Sequence, residues 1–569
     1  MSIPDNTAPP TATALPSLSP SLTQPVFTPY PTPTPSPDIE ALLAQMTLEE
    51  KIGQVMVIGF DGLEADAGLL EMLQKYHVGG VILFARNVDS PRQVATLTNA
   101  LQSAALQSAI QDGTPGVPLL IAIDQEGGRV ARLTEAKGFT EFPSAMALTA
   151  TGDAENARSV AQAMAAEMRA VGINADFAPV LDVNNNPANP VIGIRSFSSE
   201  PELVAEYGVA FLEGLQAGGV LAFGKHFPGH GDTGVDSHVS LPIVPHERAR
   251  LEAVEFVPFK AAMSANVAGI MSAHVTFPAI DATPGLAATL SSKVLTGLLR
   301  EELGYGGLLV TDSLEMGALV QSGYPVPVAA ATALQAGADL LLFNRDHTLH
   351  RAAFREIQTW VQDGRIPETR LNEAVRRVLQ AKARWNAGRS FGLLNPEKVD
   401  VAAADVTCGT PEAKALSRAI ANQSITLVRT GNPAALPLAP GSKLLVVETP
   451  AANGLGRELD VPFIIVDEQP TRAQRQSALS MARDGRVVIV AVADASRFPE
   501  QVKLVEAFVK TSSPVIVVAI RTPYDLATMP EEATLLATYG LNPPTLEALL
   551  NVLWGEVLPQ GRLPVTLAE

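Results

Sequence analysis

The sequence predicts an α/β protein, a (β/α)8 TIM-type barrel followed by an α/β sandwich domain. Three observations predict it. Over the first two thirds of the chain, eight short apolar runs alternate with amphipathic stretches of helical length. Those runs end on polar residues, as barrel strands do where they deliver side chains to the carboxyl-terminal face. A second alternation of apolar runs and helical stretches begins near residue 411.

In order, residues 1–37 hold eleven prolines among Thr, Ser and Ala, with no basic residue. Such a composition cannot bury enough to fold and is expected to form a disordered, partly polyproline-II spacer. It contains no apolar signal-peptide core. Spacers of this kind tether enzymes to a surface, so an extracytoplasmic or cell-surface location is expected, with a cytoplasmic enzyme as the alternative. A helix follows Asp38 and restarts at Thr47-Leu48-Glu49-Glu50, where Thr47 and Glu50 have capping-box spacing. Strands are expected at 54–60, 80–84, 119–124, 174–181, 220–225, 269–274, 308–312 and 339–343. Helices at 151–171, 201–217, 248–265 and 291–303 separate them, and residues 376–394 read as the closing helix and its exit. The barrel therefore occupies 38–394, with a linker and leading helix at 395–420 and the sandwich at 421–569. Its strands are expected at 424–428, 444–447, 463–466, 487–492, 515–519 and 535–539, forming a mostly parallel sheet. Helices at 471–482, 500–509 and 545–554 lie between them, with no glycine fingerprint for a nucleotide.

Composition narrows the function. The formal net charge of −18 argues against nucleic acid or anionic membrane as partner. A single cysteine, Cys408, excludes an internal disulfide and a cysteine-based metal cluster. No run is long and apolar enough to span a membrane. A monomer is expected.

The densest chemistry lies at residues 225–238, Lys-His-Phe-Pro-Gly-His-Gly-Asp-Thr-Gly-Val-Asp-Ser-His. Three of the chain's eight histidines fall there. An apolar run leads in, which places Lys225 and His226 at the end of a strand. Pro228 and the glycines then leave a long, mobile loop. Asp236 and His238 close it. In an extended segment, side chains two apart project to one side, so Asp236 holds His238 by a hydrogen bond as a proton-transfer pair. Two other readings stay open. His226, His230, His238 and Asp232 carry the donors of a metal site, although Lys225 beside His226 would repel a cation. A solvated glycine-rich loop is the blander one.

Asp124, Asp182, Lys225, His226, His274 and Asp312 all leave strands on the face where barrels build active sites. Asp182 also reads as a buried polar group satisfied by backbone. Residues 124–132, Asp-Gln-Glu-Gly-Gly-Arg-Val-Ala-Arg, add close-approach glycines and Arg132, and residues 192–197 add Arg195 on a loop. Carboxylate, lysine, arginine and histidine in one pocket suit the hydroxyls of a sugar. Phosphate is possible, but the glycines lack Walker or dinucleotide spacing. Asp312, ending a buried strand opposite a proton-donating loop, fits a glycosidic double displacement; as a helix N-cap it would have no such role.

At these residues the sequence resembles glycoside hydrolase family 3, in particular two-domain bacterial β-N-acetylglucosaminidases of the NagZ type. The likeness runs from residue 46 onward and is most specific at 225–238, with 124–132, 192–197 and 310–316 in support. It implies a retaining mechanism with Asp312 as nucleophile and Asp236–His238 as general acid/base, where other members use a carboxylic acid. It implies that Asp124, Arg132, Arg195, Lys225 and His226 bind the sugar, and it implies no metal or cofactor. The expected activity is release of terminal N-acetylglucosamine from muropeptides of cell-wall recycling or from chito-oligosaccharides. Phosphorolysis by inorganic phosphate is the alternative, because an imidazole repels phosphate less than a carboxylate does. A non-catalytic sugar-binding wall protein is a third reading, against which the nucleophile and proton pair speak.

Overall fold

The computed structural model describes residues 37–112, 116–386, 398–431, 435–452, 454–482, 485–511 and 513–567. The proline-rich spacer, apart from Pro37, and the expected boundary at 394 lie outside these residues.

Eight strands run parallel around one ring: β1 Met56–Ile58, β2 Gly80–Leu83, β3 Leu120–Ile123, β4 Ala175–Asp176, β5 Leu221–Phe227, β6 Gly269–Ser272, β7 Leu308–Thr311 and β8 Leu341–Phe343. β1 pairs with both β2 and β8, and a bridge between Val310 and Leu340 joins β7 to β8 and closes the ring. Every strand residue is buried, because one face meets the barrel axis and the other the helices. Along the axis Val57, Leu120, Phe177, Phe223, Leu308 and Leu342 share an apolar cluster. Phe177 and Phe223 meet edge to face, with ring centroids 5.2 Å apart. Gly269 makes room for them, since a Cβ there would lie 2.0 Å from Phe223 Cδ1.

The capping box at Thr47 and Glu50 is formed and starts the helix Leu48–Gln54. The helix expected at 248–265 is two helices, Arg248–Ala253 and Phe256–Ser264. Glu255 turns inward at the break, where both its oxygens accept hydrogen bonds from Arg250 Nη1 at 2.8 and 2.9 Å. The stretch expected at 291–303 winds as a π-helix, Lys293–Glu302. The closing helix begins at Glu368, ahead of the expected 376.

The second sheet holds β9 Thr426–Arg429, β10 Leu444–Glu448, β11 Phe463–Ile465, β12 Val487–Val492, β13 Val515–Ala519 and β14 Thr534–Ala537. Its order is β11-β10-β12-β13-β14-β9, parallel except for β9 against β14. Apolar clusters cover both faces. The helix Pro411–Ser424 runs across the boundary expected at 420. Barrel and sandwich are packed together. Ile194 of the barrel sits in the apolar cluster of the second sheet with Tyr524 and Tyr539. Tyr524 Oη donates to Asn184 O at 2.6 Å, and Ser144 Oγ donates to Tyr539 O at 2.7 Å.

Candidate active site

The carboxyl ends of the barrel strands open into a cleft of about 380 Å³. Asp124, Arg132, Arg195, Lys225, His226, His238 and Asp312 all line it. Asp236, the other half of the expected proton-transfer pair, supports His238 from behind. Among the described residues, the lining comes entirely from the barrel.

Lys225 and His226 are neighbours in β5, and neighbours on a strand ordinarily face opposite ways. A bulge puts both into the cleft: Lys225 pairs with Met271 and Phe227 with Ser272, so His226 is the extra residue. Lys225 Nζ lies 2.9 Å from Asp124 Oδ1 and 2.6 Å from Glu126 Oε1. Glu126 also accepts both hydrogen bonds of the Arg195 fork, each 2.8 Å long. Arg132 Nη2 stands 3.5 Å from Asp124 Oδ2. Burial alone would raise the Glu126 carboxyl, but Arg195 and Lys225 outweigh it and hold it well below the usual range. Burial likewise opposes the charge on Lys225, and Asp124 and Glu126 overcome it. Glu126 was not picked from the sequence, although its spacing of two from Asp124 was the available signal.

Asp182 is wholly buried and satisfied largely by backbone, accepting the N–H groups of His226 at 3.2 Å and His230 at 2.6 Å. Its other oxygen is 2.6 Å from His226 Nδ1, which fixes that ring. His230 bonds Ser237 Oγ and Thr233 Oγ1, both at 2.9 Å. Burial, then the neighbouring His226, push His230 down to about 4. Asp232 pairs with His246 Nε2 at 2.6 Å. The four residues weighed as metal ligands thus engage separate partners. Among the described residues, no group of three or more His, Cys, Asp or Glu side chains converges on a metal position.

Asp312 follows β7, and its Oδ1 accepts the Ser313 N–H at 2.7 Å. Burial would raise its carboxyl, but His274, His226, the Ser313 N–H and Lys225 together hold it below the usual aspartate range. His274 braces this turn through Thr289 Oγ1 at 2.8 Å and Ser313 O at 2.9 Å.

Asp236 and His238 meet, but not through an extended segment. The chain turns there, with Val239 and Ser240 N–H both donating to Asp236 O at 3.0 Å. Asp236 Oδ1 accepts the backbone N–H of His238 and contacts its ring Nδ1, each at 2.8 Å. A turn does this better than a strand, because one carboxylate oxygen reaches main chain and side chain of the same residue. Partial burial would raise Asp236, but these two bonds from His238 hold it low. With Nδ1 occupied, Nε2 is the nitrogen left for proton transfer. The His238 side chain is 64% exposed and open to solvent in the free protein. Gly317 seats the turn, since a Cβ there would lie 2.5 Å from His238 O.

Residues 47–381 match the profile of the glycosyl hydrolase family 3 N terminal domain, and residues 367–569 that of its C-terminal domain. Beta-hexosaminidase A of Pseudoalteromonas piscicida is 32% identical, covering 88% of this chain and 91% of its own. A beta-N-acetylglucosaminidase/beta-glucosidase of Cellulomonas fimi is 31% identical, covering 93% of this chain and 95% of its own. The structure of a family 3 beta-N-acetylglucosaminidase from Paenibacillus sp. str. FPU-7 superposes with a TM-score of 0.82 at 39% identity, covering 92% of this chain and 99% of its own. The chain belongs to glycoside hydrolase family 3, as a two-domain member.

Proposed function

We propose that this glycoside hydrolase is a retaining exo-β-N-acetylglucosaminidase that releases terminal N-acetylglucosamine from muropeptides or chito-oligosaccharides. The observation that carries the reading is the meeting of Asp312 and His238 in one cleft with the Asp124–Lys225–Glu126–Arg195 ion network. The names of the similar proteins support the substrate class.

In the first step an Asp312 oxygen attacks the anomeric carbon as the bond to the leaving oxygen breaks. His238 Nε2–H gives that oxygen its proton, and Asp236 steadies the ring through Nδ1. A covalent sugar–Asp312 ester results. In the second step neutral His238 takes a proton from water, the water oxygen bonds the anomeric carbon, and the Asp312 carboxylate leaves. Two inversions retain the β configuration. The sugar lies between the charged network and the wall formed by Asp312, exchanging its hydroxyls for water.

The test compares p-nitrophenyl β-N-acetylglucosaminide with the β-glucoside, each with and without phosphate. Phosphate-independent cleavage that favours the N-acetylglucosaminide is expected. Accumulation of sugar 1-phosphate would replace this reading with phosphorolysis. We also propose an extracytoplasmic location, which cell fractionation checks.

A further inference from the structure

The cleft has a carboxylate that this mechanism leaves without a task. Glu315 follows Asp312 by three residues and lines the cleft, with its side chain 15% exposed. Strand order sets its position. Asp124, Glu126, Arg132, Arg195, Lys225 and His226 leave β3 to β5, whereas Asp312, Glu315 and Asn344 leave β7 and β8, on the other side of the ring. A sugar attacked at C1 by Asp312, with its far hydroxyls on the ion network, leaves one edge beside C1, the C2 side or the ring-oxygen side, toward Glu315.

Glu315 is held from behind. Its Oε1 accepts the Asn344 N–H at 2.7 Å and faces His350 Nε2 at 3.4 Å. His350 is wholly buried against Phe343, and among the described residues its Nε2 makes no hydrogen bond of normal geometry. Its Nδ1 lies 3.3 Å from Nδ1 of His347, whose Nε2 in turn faces Asp66 Oδ1 at 3.4 Å. His350 is disfavoured as a cation by burial, against Glu315 and Asp346 and with His347 adding to burial. A neutral His350 carries a single ring N–H, and on Nε2 that proton faces Glu315.

We propose that Glu315 is a specificity-determining residue that accepts the polar hydrogen of the C2 substituent, amide N–H or hydroxyl, with His350 as its positioning residue. This rests on the reading of Asp312 as nucleophile. The occupant is defined by chemistry: a β-glycoside with a hydrogen-bond donor at C2. A charged acceptor facing such a donor discriminates strongly against a ligand that lacks it.

The experiment measures kcat/KM for p-nitrophenyl β-N-acetylglucosaminide and for the 2-deoxy-β-glucoside in the wild type, Glu315→Ala, His350→Gln and His350→Phe. The ratio of the two substrates is expected to fall at least about tenfold in Glu315→Ala. His350→Gln, which restores an N–H donor, should keep the ratio within about threefold, and His350→Phe should lower it with KM rather than kcat carrying the change. An unchanged ratio in Glu315→Ala overturns the proposal. A ratio that falls equally in both His350 variants removes His350 as the positioning residue. Should His350→Phe fail to fold, Glu315→Ala and His350→Gln decide alone. A wild type that cleaves neither substrate refutes the β-N-acetylglucosaminidase reading instead, so the two failures are distinguishable.

Discussion

At the scale of single residues, the two groups of the proposed mechanism, the Asp312 carboxylate and the His238 imidazole, carry separable duties. Asp312→Asn should lower turnover by at least about three orders of magnitude on every glycoside, because the attacking oxygen is gone. His238→Ala should act according to the leaving group. The pre-steady-state burst of dinitrophenol, which departs without a proton, should stay within a few fold, while cleavage of a disaccharide should fall by roughly a hundredfold or more. Equal losses for both would move the acid role to another side chain. The placement of these groups was legible in the sequence, since Asp312, Lys225 and His226 stand at strand ends where a barrel needs them. The Asp236–His238 contact was legible in outcome but not in geometry, because a turn rather than strand alternation brings the groups together. Glu126 was not legible as a partner shared by Arg195 and Lys225. Which cations reach one carboxylate depends on a loop after β4 whose course no local pattern records.

Individual barrel strands also carry ionisable groups whose role is energetic. Asp176 ends β4 wholly buried, with one oxygen accepting the Gln125 N–H at 2.9 Å and the other unpartnered among the described residues. Burial raises its carboxyl well above the ordinary value, and Asp124 and Glu126 add to this against the Gln125 N–H and Lys225. The folded chain therefore binds a proton that the unfolded chain releases near pH 4, and stability falls as pH rises from there toward the folded value. Asp176→Asn removes that linkage. Its melting temperature should exceed the wild type's at pH 8, with the gap closing toward pH 4, and a lower melting temperature at pH 8 would contradict the protonated assignment.

Asp339, just before β8, shows the opposite arrangement. Its oxygens take Arg300 at 2.5 Å, Arg370 at 2.9 Å, Arg377 at 3.0 Å and the Leu309 N–H at 3.0 Å. Burial opposes its charge, but the three guanidinium groups prevail and keep it low. Asp339→Ala would leave these arginines facing one another and should cost about 3–5 kcal/mol in urea unfolding. A change below about 1 kcal/mol would show the cluster to be dispensable. Sequence periodicity located both strands but could not tell a paired carboxylate from a protonated one, which depends on neighbours from adjacent strands and the surrounding helices.

For the whole molecule, the two alternating patterns in the sequence correspond to two sheets, and the antiparallel edge strand β9 is within a mostly parallel expectation. What the patterns did not reveal is where the second sheet leans. Tyr524 bonds Asn184 O, the Asn184 side chain accepts the Gly193 N–H at 3.2 Å, and Thr522 abuts Gly193, two residues before Arg195. Tyr524→Phe should raise KM by about two- to fivefold and leave kcat nearly unchanged, because it loosens Arg195 without touching Asp312 or His238. A fall in kcat with KM constant would instead tie the second sheet to the chemical step. A cleft lined by one sheet and braced by another has a consequence for descent. All the groups proposed to react are inherited with the first two thirds of the gene, so the rest can drift or be exchanged without erasing the reaction. What descent must preserve is only some surface, of any origin, pressed against the strip from Asn184 to Arg195.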